Sequence, residues 1–186
     1  MKKFLPIFAV LALGIATRFI PHYPNFTAVG AVAILGGSWF GLKNGRFLLT
    51  LLLLYVSDLV INNTFYASSY EGFVWAYEGM AMTYLAYLLM AWIGAKTRAK
   101  AAWSSMPWAK QALGGSMVFF LITNLSTWWV MPIYTKDLAG MATALVAGLP
   151  FLAPMMLSTF AYGVAMQWSL SLANPSGLKK PSLHNL

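Results

Sequence analysis

Long apolar segments recur along the whole chain and limit its possible folds more than any other feature. Hydrophobic residues make up 60% of the 186 residues and charged residues only 9%, whereas about 25% of the residues in soluble domains are charged. A helix needs roughly 20 apolar residues to cross the hydrocarbon core of a bilayer. The pattern therefore predicts an all-α integral membrane protein whose first partner is the lipid bilayer.

Charged residues and clusters of Gly, Pro and Asn divide the chain into six predicted transmembrane helices. These spans are Phe4–Ile20, Phe26–Leu42, Phe47–Asn63, Phe73–Ala95, Ala112–Met131 and Pro154–Ala173. The segment Leu138–Leu149 is too short to cross a bilayer. Because it ends at Gly148 and Pro150, it predicts an extra short helix before the last span. Residues 1–174 are expected to form one membrane domain, followed by a polar cytoplasmic tail at 175–186.

The positions of the basic residues predict the orientation, because short cytoplasmic connections are rich in Lys and Arg. The basic residues on alternate ends of the predicted spans are Lys2, Lys3, Lys43, Arg46, Lys96, Arg98, Lys100, Lys110, Lys179 and Lys180. Arg18 and Lys136 remain for the other side, where all four acidic residues also fall. Both termini are thus expected in the cytoplasm of a multi-pass protein of the bacterial inner membrane. Alternatively, MKK and the following apolar run are a cleaved signal peptide, which would leave five spans.

Composition and motifs exclude several classes of function. The chain has no cysteine, so disulfides, thiolate metal sites and cysteine nucleophiles are absent. The net charge of +8 comes from residues at helix ends, which argues against nucleic-acid binding. There is no HExxH, GxSxG or P-loop motif, and only two histidines. We therefore expect neither an enzyme nor a bound metal or cofactor.

Two polar stretches near the outer face are the first candidates for a site. RFIPHYPNFT carries Arg18, His22 and Asn25 directly after the first span, and its prolines favour an extended turn. Asp58 lies within the third span, with Asn62 one turn further on the same face. Ionisable groups inside spans are costly and usually functional. Asp58 either pairs with Arg18 to hold two helices together or contacts a ligand.

Further candidates follow in the later segments. In FLITNLSTWWVMP, Asn124 and Trp128 share a helix face near the outer end. Asn124 bonds a neighbouring helix or a ligand, and Trp128 is either an interfacial anchor or a ligand contact. The connection INNTFYASSYEGFVWAY supplies Tyr66 and Tyr77, which suit either a ligand-binding loop or a solvated turn. The candidate substrate-binding residues are Arg18, His22, Asn25, Asp58, Asn62, Tyr66, Tyr77, Asn124, Trp128 and Tyr134.

The first span also contains a pattern of small residues. Ala12 and Ala16 are four residues apart in ALGIA, a spacing that permits close approach of another helix. Packing within the protein is the simpler interpretation, and docking of a partner subunit is the alternative.

Several motifs together resemble a family of bacterial membrane proteins assigned to transport. They are ATRFIPHYPNFTAVGAVAILGGSWFG, YVSDL, FFLITN and YTKDLAGMATALVAGLPF, and the resemblance extends to about residue 173. That family in turn is similar to the substrate-binding S-components of energy-coupling factor transporters. Those proteins have six helices, cytoplasmic termini and a vitamin site near the outer face. The resemblance to the solitary cobalamin S-components is looser.

The resemblance implies a non-enzymatic membrane subunit for uptake of a vitamin-like molecule, first of all cobalamin or a related corrinoid. It implies that Arg18, His22, Asp58 and Tyr77 line the site. Ala12 and Ala16 match the motif with which S-components dock on an energy-coupling transmembrane subunit that works with ATPases. Solitary cobalamin S-components ligate cobalt with a cysteine that this chain lacks, so thiol-dependent decyanation is excluded. The alternatives are another vitamin or nucleobase-like substrate, or a structural assembly subunit of a larger membrane complex.

Overall fold

The computed structural model describes residues 5–41, 45–96 and 105–173, and these residues form six α-helices and no β-strand. The helices are α1 (Leu5–Ala16), α2 (Val29–Phe40), α3 (Leu48–Thr64), α4 (Met80–Lys96), α5 (Ser105–Val130) and α6 (Leu138–Ala173). Short 3₁₀ helices follow α1 (Thr17–Phe19) and α3 (Ala67–Ser69). The all-α prediction is confirmed, and the expected tail at 175–186 lies outside the described residues.

Helix α2 is the centre of the bundle. It is only 12 residues long, and ten of them are buried. Val32, Ala33 and Ile34 are each fully inaccessible. Because α2 contacts all five other helices, it has no exposed polar face of the kind that a surface helix presents to solvent. The core of the molecule is therefore built around this one short helix.

Glycines bring the neighbouring backbones into direct contact with α2. A Cβ atom added at Gly37 would overlap the backbone carbonyl of Ala91 on α4, and one at Gly94 on α4 would overlap the carbonyl of Ile34. On another side, a Cβ at Gly36 would overlap the hydroxyl of Thr50 on α3. Small residues allow this close approach, which gains van der Waals contact without a long side chain between the helices.

Helix length supports a membrane protein but not the six predicted spans. Two helices are long and apolar enough to cross a membrane, Pro107–Val130 with 24 residues and Leu138–Leu172 with 35. The other four described helices have 12 to 17 residues. They are shorter because the connections between them take up residues expected to be helical. For example, α4 begins at Met80, whereas the sequence predicts a span from residue 73.

The predicted short helix Leu138–Leu149 is wrong as a separate element. Pro150 and Pro154 lie inside one continuous helix of 36 residues, although each proline removes a helical hydrogen bond. Packing on α5 continues on both sides of the prolines, with Gly148 against Asn124 and Thr159 within 3.5 Å of the Ser116 hydroxyl. These contacts maintain the helical course, and apolar surroundings favour it because a break would leave more backbone groups unpaired.

Two glycines give a matched test of this packing. We expect Gly37→Ala to lower the free energy of unfolding by roughly 1–3 kcal/mol, because the added methyl group overpacks the contact with α4. Gly114 has no atom within 4 Å of an added Cβ, so Gly114→Ala should be neutral or should stabilise the protein by up to about 1 kcal/mol. Thermal unfolding of both variants in the same detergent measures the difference. Equal melting temperatures would contradict the central role given to the α2–α4 contact.

Candidate ligand-binding site

An ion pair joins the end of α1 to the middle of α3. The Nη2 atom of Arg18 lies 2.5 Å from Oδ1 of Asp58, and their side chains are 17% and 6% exposed. Arg18 also donates through Nη1 to the hydroxyl of Ser57 at 2.5 Å. Tyr84 on α4 donates to the other carboxylate oxygen of Asp58 at 2.7 Å. The pairing of Arg18 with Asp58, one of two alternatives from the sequence, is therefore present, and it ties three helices together.

Hydrogen bonds fasten the connection between α1 and α2 to itself and to α6. The two ends of the connection are joined because the Ala28 N–H donates to the hydroxyl of Thr17 at 3.2 Å. Further along, the hydroxyl of Ser158 on α6 donates to the carbonyl of Asn25 at 3.2 Å. Asn25 has a positive φ of 60°, a conformation that Asn adopts more readily than most residues. These bonds hold residues 17–28 against the bundle.

A cavity of about 410 Å³ lies beneath this connection. Its polar wall consists of Arg18, His22, Asn25, Thr27 and Tyr66. Its apolar wall consists of Pro24, Val29, Gly30, Ile61, Tyr87, Phe119 and Met155. The rings of Tyr87 and Phe119 stack on each other with centroids 5.2 Å apart. The volume falls within the range of roughly 300–1,000 Å³ typical of small-molecule sites.

The N-terminus of α2 opens into the cavity. No side chain caps it, and Val29 and Gly30 of its first turn are both buried and line the cavity. The first N–H groups of a helix have no partner within the helix, and the helix dipole makes this end partially positive. The cavity lining thus includes the first turn of a helix, with its partially positive end, in addition to Arg18.

The α3–α4 connection is held against the same end of the bundle. The side-chain amide of Asn63 donates to the carbonyl of Val74 at 3.0 Å and accepts from its N–H at 2.7 Å. Tyr66 in this connection reaches the cavity, whereas Tyr77 does not line it. Burial, together with the nearby carboxylate of Asp58, raises the pKa of Tyr77 to about 12. Its phenol therefore stays protonated at neutral pH.

Three predicted site residues lie at the α5–α6 junction and outside the cavity. Asn124 donates to the Phe120 carbonyl of its own helix at 2.8 Å and packs on Gly148. Trp128 donates to the Thr135 carbonyl at 2.8 Å, and Tyr134 is half-buried in the same connection. Their contacts connect α5 to α6.

The beginning of α6 is capped in the same region. The Gly140 N–H donates to Oδ1 of Asp137 at 2.8 Å, and the Thr135 hydroxyl donates to the same oxygen at 2.8 Å. These two hydrogen bonds lower the pKa of Asp137. Lys136 donates to the carbonyl of Trp128 in the last turn of α5 and to that of Met131 directly after it. Side chains thus stabilise both helix ends at this connection.

The remaining predicted residues have separate positions. Asn62 is half-buried on α3 but does not line the cavity. On α1, Ala16 is exposed and Ala12 half-buried, so neither belongs to the tightly packed core. The described residues contain no group of three His, Cys, Asp or Glu side chains that could hold a metal.

Several residues of the candidate site could not be identified from the sequence. Tyr84 and Tyr87 lie three residues apart on α4. Tyr84 donates a hydrogen bond to Asp58, and Tyr87 lines the cavity. Phe119 and Met155 looked like ordinary apolar positions within spans. The hydroxyl groups in MTYLAY indicate that one face of α4 is polar and turned toward the interior of the bundle. Nothing in the sequence shows that Phe119 of α5 contacts this face.

Comparison with known proteins places the chain in one protein family. A model described as "Family of unknown function (DUF6580)" matches residues 1–181. The chain belongs to the DUF6580 family. No curated protein and no solved structure matches the DUF6580 chain.

The ion pair gives a second testable prediction. Removing one member of a buried ion pair leaves the other charge uncompensated, at a cost of about 3–5 kcal/mol. We therefore expect the single changes Asp58→Asn and Arg18→Gln each to destabilise the protein strongly. The double variant with both changes should lose less free energy of unfolding than the sum of the two single variants. The exposed Asp137→Asn is the control, since Asn also caps helices well. Chemical denaturation of the four variants measures the coupling, and strictly additive effects would contradict it.

Proposed function

We propose that the protein is a multi-pass membrane subunit that binds a vitamin-like small molecule for uptake across the bacterial inner membrane. The cavity beneath the α1–α2 connection carries this proposal, because it combines a guanidinium, amide and hydroxyl groups with an aromatic wall. Binding sites for small molecules are mostly apolar with a few well-placed polar groups. Both termini are proposed to lie in the cytoplasm, with the cavity opening outward.

The distribution of side chains supports membrane insertion of more than the two long helices. Many large apolar side chains lie on the outer surface of the bundle. The exposed ones on α1 and α3 are Leu5, Phe8, Leu13, Leu48, Leu49, Leu52, Val56 and Val60. Monomeric soluble proteins rarely expose such continuous apolar surfaces, whereas lipid accommodates them.

The size of the cavity favours a compact ligand. Its volume of about 410 Å³ lies near the lower end of the range for small-molecule sites. Another vitamin or a nucleobase-like compound is therefore the first candidate. A corrinoid is much bulkier, so cobalamin would need the connections at 17–28 and 65–79 to move apart. His22 at the cavity wall would be the nearest imidazole for its cobalt.

We propose binding without chemical conversion of the ligand. His22 is the one histidine in the described residues, and its Nδ1 lies 2.9 Å from the carbonyl of Tyr23. The cavity wall pairs no serine or cysteine with a base. Release would then depend on another subunit, and the outward face of α1 with Ala12 and Ala16 is the proposed surface for an energy-coupling transmembrane subunit with ATPases.

A structural assembly subunit is the second candidate. It is favoured by the hydrogen bonds of Asp58, whose two oxygens are already occupied by Arg18 and Tyr84, and of Asn124, which bonds its own helix. In this case the polar groups only join helices. Asp58→Asn would then impair assembly of the larger membrane complex and would leave ligand binding unchanged.

Calorimetry on the purified chain in nanodiscs tests the binding function. We expect heat with at least one of cobalamin, cobinamide, riboflavin, thiamine, biotin and queuosine. Phe119→Ala should weaken that binding at least tenfold, because it removes half of the stacked aromatic wall. Phe151 is exposed on α6 and outside the cavity, so Phe151→Ala is the matched control. Absence of heat with every compound, or equal effects of the two variants, would refute the proposal.

A further inference from the structure

The charges around the cavity restrict the kind of molecule that it can hold. Arg18 is the one charged side chain among the described residues that line the cavity. Two of its N–H groups serve Asp58 and Ser57, and the guanidinium has further donors and no acceptor. Asp58 is only 6% exposed, and both of its oxygens are occupied. The cavity therefore offers free donors from a cation, but no free carboxylate.

The wall around Arg18 adds donors of the same sign. The uncapped first turn of α2 lies at Val29 and Gly30, where partially positive N–H groups favour an anionic oxygen. Asn25 and Thr27 supply neutral polar groups. A cationic ligand would meet the donors of Arg18 and would find no free carboxylate, because both oxygens of Asp58 already accept hydrogen bonds. A dianion would have only one guanidinium, which is already neutralised by Asp58.

Part of the cavity lining is aromatic. Tyr87 and Phe119 are stacked on each other, and both line the cavity with Met155. Aromatic and thioether side chains bind ring systems through dispersion and edge contacts. The volume of about 410 Å³ allows a body of a few rings but excludes a large macrocycle in the present arrangement.

We propose that the ligand is a compact ring compound with one negatively charged or carbonyl oxygen end and no cationic group. The oxygen end is bound by Arg18 and the first turn of α2, and the ring lies against Tyr87 and Phe119. This inference rests on the proposed binding function and names the substrate class of the same cavity.

A series of probes with one ring system separates charge from shape. Indole-3-acetate, indole-3-acetamide and tryptamine share a two-ring body and carry an anionic, a neutral and a cationic end. We expect calorimetry on the full chain in nanodiscs to show the acetate binding at least tenfold more tightly than tryptamine, with the acetamide between them. Tryptamine binding as tightly as the acetate would overturn the inference.

A charge added at the rim tests the same electrostatics without disturbing the buried ion pair. Asn25 is exposed, and Asp tolerates a positive φ as Asn does, so Asn25→Asp should fold. We expect it to weaken binding of indole-3-acetate roughly threefold to tenfold through charge repulsion, and to weaken binding of the uncharged acetamide by a smaller factor. Ser69 is exposed in the α3–α4 connection and outside the cavity. Ser69→Asp adds the same charge there and should change neither affinity. Equal effects of the two variants would contradict the inference.

The outcomes also distinguish the inference from the function on which it rests. If none of the indole probes binds but one of the vitamins does, the charge of that vitamin decides whether the inference about the ligand class holds. A cationic compound such as thiamine as the tightest ligand would overturn the inference and leave the binding function standing. A neutral carbonyl compound or a monoanion would support both. If neither series binds, both are refuted.

Discussion

The structure depends on a short helix that is surrounded on every side. Helix α2 approaches α3 and α4 closely through glycines, and its longer apolar side chains, such as Ile34, are buried in the same core. Gly36 and Gly37 on α2 and Gly94 on α4 all lie at such contacts. In lipid, where apolar groups gain little from leaving the solvent, close packing of this kind is a main source of helix association. All five other helices contact α2.

The cavity is a consequence of the length of α2. A helix of 12 residues is about 18 Å long, far less than the hydrocarbon thickness of roughly 30 Å. On the cavity side α5 continues from Phe119 to Val130, and α6 begins at Leu138, well before the cavity residue Met155. The space left above the end of α2 is partly filled by the folded connection at 17–28, and the remainder is the cavity.

Much of the helical order could be predicted from the sequence, because apolar runs and charged ends are local signals. The start of α4 could not, since the apolar residues 73–77 continue the hydrophobic pattern of the helix that follows, although Glu78 and Gly79 interrupt it. Their backbone is instead fixed by distant partners, such as Asn63 bound to Val74 and the Tyr55 hydroxyl donating to the carbonyl of Trp75 at 3.2 Å. The continuous course of α6 depends in the same way on contacts with α5 that the prolines do not reveal.

Some residues of the candidate site could be identified from local sequence patterns, whereas others depend on contacts between distant segments. Arg18, His22 and Asn25 could be recognised because a polar stretch after an apolar span is conspicuous, and all three line the cavity. Asn124 and Trp128 were equally conspicuous, yet their hydrogen bonds remain within α5 and its adjoining connection. The aromatic wall combines Tyr87 with Phe119, residues of two helices whose pairing depends on the register of α4 against α5.

The two interpretations of Arg18, structural and ligand-binding, do not exclude each other. A buried carboxylate accepts hydrogen bonds only, and Asp58 has both oxygens occupied, so its role is to hold Arg18 in position. The guanidinium is planar and has more donors than Asp58 and Ser57 use. The ion pair thereby restrains the guanidinium of a residue that lines the cavity. Preorganisation of this kind reduces the entropy that binding would otherwise lose, which is why a structural ion pair at the base of a cavity favours ligand binding there.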